Sequence, residues 1–199
     1  MKGATKYLSI ASLALWLSLL LLNASCGNSL FKVKPASALP ALSASAASAN
    51  VGVVTFRAAP LLTDEEIQEL FESNLQLAGL LPIRLEVIHN GGEQIEFKKL
   101  KFRLHDASSS DWKLISAKAA ISRILKANDV FAYNPNSRKT FEKEFRAYEF
   151  DLKTPFASSE TKRHGILIFQ TVKKEPVASP RELTLTIEGL AQPVSLKLN

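Results

Sequence analysis

The chain has 199 residues, 46% of them hydrophobic, a formal net charge of +6 and a single cysteine. One cysteine cannot close an internal disulfide, so the fold must be held by its apolar core instead of covalent staples. Of the 25 basic residues, Lys2, Lys6, Lys32 and Lys34 precede residue 51, which leaves 21 against 19 acidic ones in a nearly neutral remainder; with no Lys/Arg run interleaved with aromatics, nucleic acid is not the expected partner.

The chain begins with two lysines, Lys2 and Lys6, followed by a charge-free apolar run over 8–22, which is the anatomy of an export leader. The run is slightly short for a membrane span of about 20 residues and ends in polar Asn23 and Ser25. Cys26 follows directly. The sequence Leu22-Asn23-Ala24-Ser25-Cys26 resembles the lipobox of bacterial lipoproteins, with Asn23 standing where Leu is usual and Leu22 one step further out. That resemblance implies a lipoprotein-type signal peptide over 1–25, cleavage before Cys26 and acylation of its thiol. Gly27 is not the Asp that favours inner-membrane retention in enteric bacteria, so the resemblance points to an outer membrane and its periplasmic side.

Residues 26–50 are rich in Ser, Ala and Pro and show no apolar period, so they read as a flexible tether with a root-mean-square span of roughly 25–30 Å. The competing reading is an extra strand folded on the domain, anchored by Leu39 and Leu42. Residues 51–199 are one domain's worth of chain, long enough to bury a single core.

In that domain the dominant signal is alternation of period two. Strands are expected from Val51 to Phe56 and over 83–87, where Ile83, Leu85 and Val87 alternate with Arg84 and Glu86. His89-Asn90-Gly91-Gly92 then reads as a hairpin turn returning through Ile95 and Phe97, with a bulge at Lys98-Lys99 restoring register before Leu100, Phe102 and Leu104. Further strands are expected over 148–152, 166–172, 183–187 and 194–198. Thr63 and Glu66 form a capping box for a helix whose face carries Ile67, Leu70, Phe71 and Leu75. A second helix is expected over 116–126 and a short third over 140–146. Seven or so short strands imply a sandwich.

Three stretches resemble a group of uncharacterised secreted bacterial proteins, usually lipoproteins: Leu77-Ala78-Gly79-Leu80-Leu81-Pro82-Ile83, the acidic helix after Ala59-Pro60-Leu61, and His164-Gly165-Ile166-Leu167-Ile168-Phe169. The resemblance implies a mainly β, immunoglobulin-like antiparallel β-sandwich with two or three short accessory helices. Its motifs are structural, and it carries over no active-site residue.

A search for chemistry yields little. His89, His105 and His164 lack metal-ligand spacing and read as solvated turn residues. His105, Asp106 and the serines at 108–110 have the residue types of a nucleophilic triad, but neighbours on a strand point to opposite faces and no nucleophile elbow is present. Asp106 and Asp111 lack the alternating oxygen ligands of a calcium loop. No catalytic residue, cofactor or metal is expected. Aromatic residues cluster between 131 and 156, and Phe131, Tyr133, Asn134 and Phe141 are the candidate partner-binding residues. The expected function is therefore a non-catalytic cell-envelope lipoprotein, anchored in the membrane through lipid and binding another envelope protein or polymer. The alternative is a soluble periplasmic or secreted module that holds a small apolar ligand between its sheets.

Overall fold

Alternating residues give strands β1 (Ala47–Val51), β2 (Val54–Pro60), β3 (Leu80–His89), β4 (Lys101–His105), β5 (Asp111–Ile115), β6 (Lys162–Gln170), β7 (Thr184–Glu188) and β8 (Val194–Lys197). The structure, a computed structural model, describes residues 30–107, 111–130, 134–177 and 180–199. The strands form one antiparallel sheet in the order β1-β2-β3-β6-β5-β4-β7-β8. Cα atoms of the two edge strands, β1 and β8, come within 8 Å of each other. The mainly β class is as expected, but the architecture is a nearly closed barrel in place of the two separate layers of an immunoglobulin-like sandwich.

Strand β5 makes that difference. Its first two residues, Asp111 and Trp112, pair with β4, whereas Lys113, Leu114 and Ile115 pair with β6. A five-residue strand thus joins the two halves of the sheet at a corner. Sandwiches and barrels share the same inward–outward alternation, so strand count and period do not separate them.

The inward residues fill the barrel. Val54, Phe56 and Ala58 of β2 face Ile83, Leu85 and Val87 of β3, Phe102 and Leu104 of β4, and Leu185 and Ile187 of β7. Phe97, Phe150 and Phe156 close one end, with ring centroids 5.1 Å apart for Phe97–Phe150 and 5.6 Å for Phe97–Phe156. The Arg163 guanidinium lies over Phe97 and Phe156 and donates to Glu160 and to the carbonyls of Asp151, Thr154 and Pro155.

Helices α1 (Asp64–Phe71), α2 (Ala117–Ala127) and α3 (Pro135–Arg146) cover one end of the outer face of β3 and β6. Thr63 caps α1 as expected, accepting from the Glu66 amide at 3.2 Å. Ser116 caps α2. The third helix is a turn and a half longer than expected because Asn134 caps it and Pro135 occupies its first turn, where a missing amide is harmless. Ile67, Leu70, Phe71, Ile121, Ile124, Phe141 and Phe145 meet Leu80, Ile166 and Ile168 in a second apolar core.

Three local expectations are corrected. The turn after His89 does not return as a partner of β3, whose neighbours are β2 and β6. Ile95 instead bridges Phe156, and residues 97–99 form a 3-10 turn in place of a bulge. The segment over 148–152 is not a full strand: Glu149 bridges Ile166, after which Phe150 enters the barrel core while Tyr148 stays under the helices. Gly165 permits this crossing, since a Cβ there would stand 2.7 Å from the Phe150 Cα.

The expected tether also behaves differently from Leu30 onward. Leu30 is 6% exposed, Phe31 meets Phe141 edge to face with ring centroids 5.6 Å apart, and the Lys34 amide donates to the Leu70 carbonyl. The Tyr148 hydroxyl donates to the Lys34 carbonyl at 2.9 Å. Residues 30–46 form a strap, without strand structure, that crosses the helices and the outer sheet face before entering β1; the competing strand reading fits only the last residues of the expected tether, which begin β1 at Ala47.

Candidate functional site

Beyond the helix-covered end, the outer face of β2, β3 and β6 is charged because the strand period turns Arg57, Arg84, Glu86, Lys162 and His164 away from the barrel core. Cross-strand register aligns Arg57, Glu86 and His164 in one row. The Glu86 side chain is only 4% exposed and bridges Arg57 at 2.8 Å and Lys162 at 2.5 Å. Burial works to raise its pKa, but the hydrogen bonds from Lys162 and Arg57 outweigh that and hold the carboxyl below the usual range.

The strap roofs this face and leaves a cleft of about 460 Å³, with Leu39 and Leu42 above and Arg84, Glu86, Lys162 and His164 below. Arg84 is the pivot of the cleft. Its Nη2 donates to the Pro40 carbonyl, and its Nε is buried with no hydrogen-bond partner among the described residues. Burial pulls its pKa below the usual arginine range, against the raising influence of Glu66 and Glu86. A second hollow of about 310 Å³ lies on its other side, between α1 and the strap. Arg57 is tied to the strap as well, through the Ser43 carbonyl at 2.6 Å. Arg57 and Lys162 bridge Glu86, while Arg84 lies under the influence of both Glu66 and Glu86, so the cleft sets partly paired charges beneath an apolar roof.

The sequence-expected residues fall elsewhere. Phe141 is 1% exposed, packed between Phe31 and Phe145, so it belongs to the core and offers no exposed aromatic patch. Asn134 is exposed and caps α3 by accepting from the Asn136 amide at 2.9 Å. Cys26, Phe131 and Tyr133 lie outside the described residues. A groove of about 490 Å³ does run between 30–33 and α3, with Phe141 in its wall.

The histidines also differ from one another. His89 is no solvated turn residue: it is 2% exposed, stacked on Phe156, with both ring nitrogens unpartnered among the described residues. His105 Nδ1 lies 2.8 Å from Asp111, and Asp106 accepts from the Trp112 indole at 2.9 Å; the serines at 108–110 lie outside the described residues. His164 is exposed at the rim of the strapped cleft. Among the described residues, no group of three or more His, Cys, Asp and Glu side chains is placed to hold a metal ion. No described helix is long and apolar enough to cross a membrane.

Sequence reasoning missed the cleft because Arg84 and Glu86 read as the wet side of an ordinary strand. The only available signal was two ionisable residues alternating within the most apolar strand of the chain. No protein-family model matches the chain, and no curated protein or solved structure matches it either.

Proposed function

We propose that the chain is a non-catalytic lipoprotein of the cell envelope, exported by its leader, acylated on Cys26 and carrying a barrel-like body that binds a partner outside the cytoplasm. The partner is another envelope protein or polymer, and in a host with an outer membrane the body faces the periplasm. The observation that carries this reading is the spacing between Cys26, at the end of its lipobox-like stretch, and Leu30, which is buried on the body. Four residue steps span at most about 14 Å, so a lipid on Cys26 would hold the body close against the headgroups, far nearer than a free 25-residue tether would. The alternative, an apolar ligand held inside the sheet, has less support because Phe56, Phe97, Phe150, Phe156 and Phe169 occupy that space.

The test is expression in a bacterial host with labelled palmitate. Wild-type protein should incorporate label and sediment with membranes, while Cys26→Ser should do neither. Label incorporation and sedimentation that survive the substitution would refute the reading.

A further inference from the structure

The strapped cleft contains a guanidinium whose recognition geometry is half used. In arginine, the Nε and Nη2 hydrogens point the same way and form a side-on fork that matches the two oxygens of a carboxylate. At Arg84 the Pro40 carbonyl, a single neutral acceptor, takes Nη2 and leaves Nε buried and unpaired among the described residues. A buried N–H without an acceptor is costly, and one carbonyl oxygen is not enough to serve both arms of the fork.

We propose that Arg84 is the anchor of a binding site for a small carboxylate with an apolar body, and that the Pro40 carbonyl is a stand-in which the ligand displaces. The carboxylate takes both arms of the Arg84 fork. Leu39 and Leu42 receive the apolar portion. Glu86 does not oppose binding, since Arg57 and Lys162 already neutralise it. Losing the Pro40 contact loosens residues 37–42, whose own backbone bonds are few: the Ala38 amide to the Pro35 carbonyl and the Leu39 amide to the Ala36 carbonyl. Ligand binding therefore reads out as release of the strap.

The experiment is hydrogen exchange on the full chain in detergent micelles, following peptides that cover 34–46, with hexanoate as the probe. Hexanoate should accelerate exchange there in a saturable way, by roughly threefold or more, because a locally closed segment opens. Hexan-1-ol and inorganic phosphate should not. Arg84→Lys keeps the charge but removes the fork, and should weaken the hexanoate response about tenfold. Cys26→Ser should respond as wild type does, which separates this proposal from lipid anchoring. Unchanged exchange in hexanoate would overturn the proposal, as would an equal response to hexan-1-ol or to phosphate, or a full response from Arg84→Lys. The wild-type comparison of hexanoate with hexan-1-ol needs no variant to fold.

Discussion

Gly165→Ala should destabilise the protein by about 2–3 kcal/mol, against the usual sign of such a change. Where the backbone is compatible, Gly→Ala stabilises by roughly 0.4–1 kcal/mol by restricting the unfolded chain, and Gly165 does not sit at positive φ. Sterics decide the outcome instead. The added Cβ would stand 2.7 Å from the Phe150 Cα, 2.9 Å from its nitrogen and 3.1 Å from its Cβ. Carbon pairs settle near 3.5–4.0 Å, so the 148–150 segment must move off β6 by most of an ångström. That shift strains the bonds from the Phe150 amide to the Ile166 carbonyl at 3.0 Å and from the Ile166 amide to the Tyr148 carbonyl at 2.6 Å. Overpacking costs about 2 kcal/mol, and two bonds stretched but not broken lose together about half of the roughly 2 kcal/mol they are worth. Subtracting the unfolded-state gain leaves the stated range, a fall in Tm of roughly 4–12 °C for a domain of this size. Urea unfolding of wild type and variant measures it directly, and a variant as stable as wild type, or more so, would refute the crossing geometry.

Glu86→Gln should cost about 1–2 kcal/mol at pH 7, less than for a fully buried pair because Arg57 and Lys162 reach solvent. Since the folded-state carboxyl is held below its ordinary range, its contribution is complete above the unfolded value near 4.3 and is lost as pH falls through and below it. The gap between wild type and Glu86→Gln in denaturant titrations should therefore narrow from pH 5 to pH 3; a gap independent of pH would contradict the bridge. His89→Leu replaces two ring nitrogens that have no partner among the described residues with apolar atoms of similar volume and should raise stability by about 1 kcal/mol. A loss of stability in thermal unfolding would mean that those nitrogens are satisfied.

Several elements were legible because their signals are local. The Thr63–Glu66 capping box and the alternation of Ile83, Leu85 and Val87 each state a backbone conformation within a few residues. The strap was illegible for the opposite reason. Its Ser, Ala and Pro residues show no period because much of what holds it is donated by the body: Arg57 to the Ser43 carbonyl, Arg84 to the Pro40 carbonyl, Tyr148 to the Lys34 carbonyl. Any residue offers a carbonyl, so such anchoring leaves no mark on the segment that is anchored. The division of β5 between β4 and β6 was hidden likewise, since partner choice depends on the far side of the barrel and not on 111–115 themselves. Asn134 reads as surface until Asn134-Pro135 is recognised as a helix-initiating pair, and Phe141 does so because Phe31, which covers it, lies in the strap.

The route of the strap has a mechanical meaning. Residues 30–46 are fastened at separate points in sequence, to α1 at Leu70, to Tyr148, to Arg84 and to Arg57, before the chain joins β1. Tension entering at the amino-terminal end meets these fastenings one after another, as in peeling tape, and reaches the β1–β2 ladder only after they have parted. The strap would then act as a sacrificial fuse that yields at low force and leaves the barrel folded.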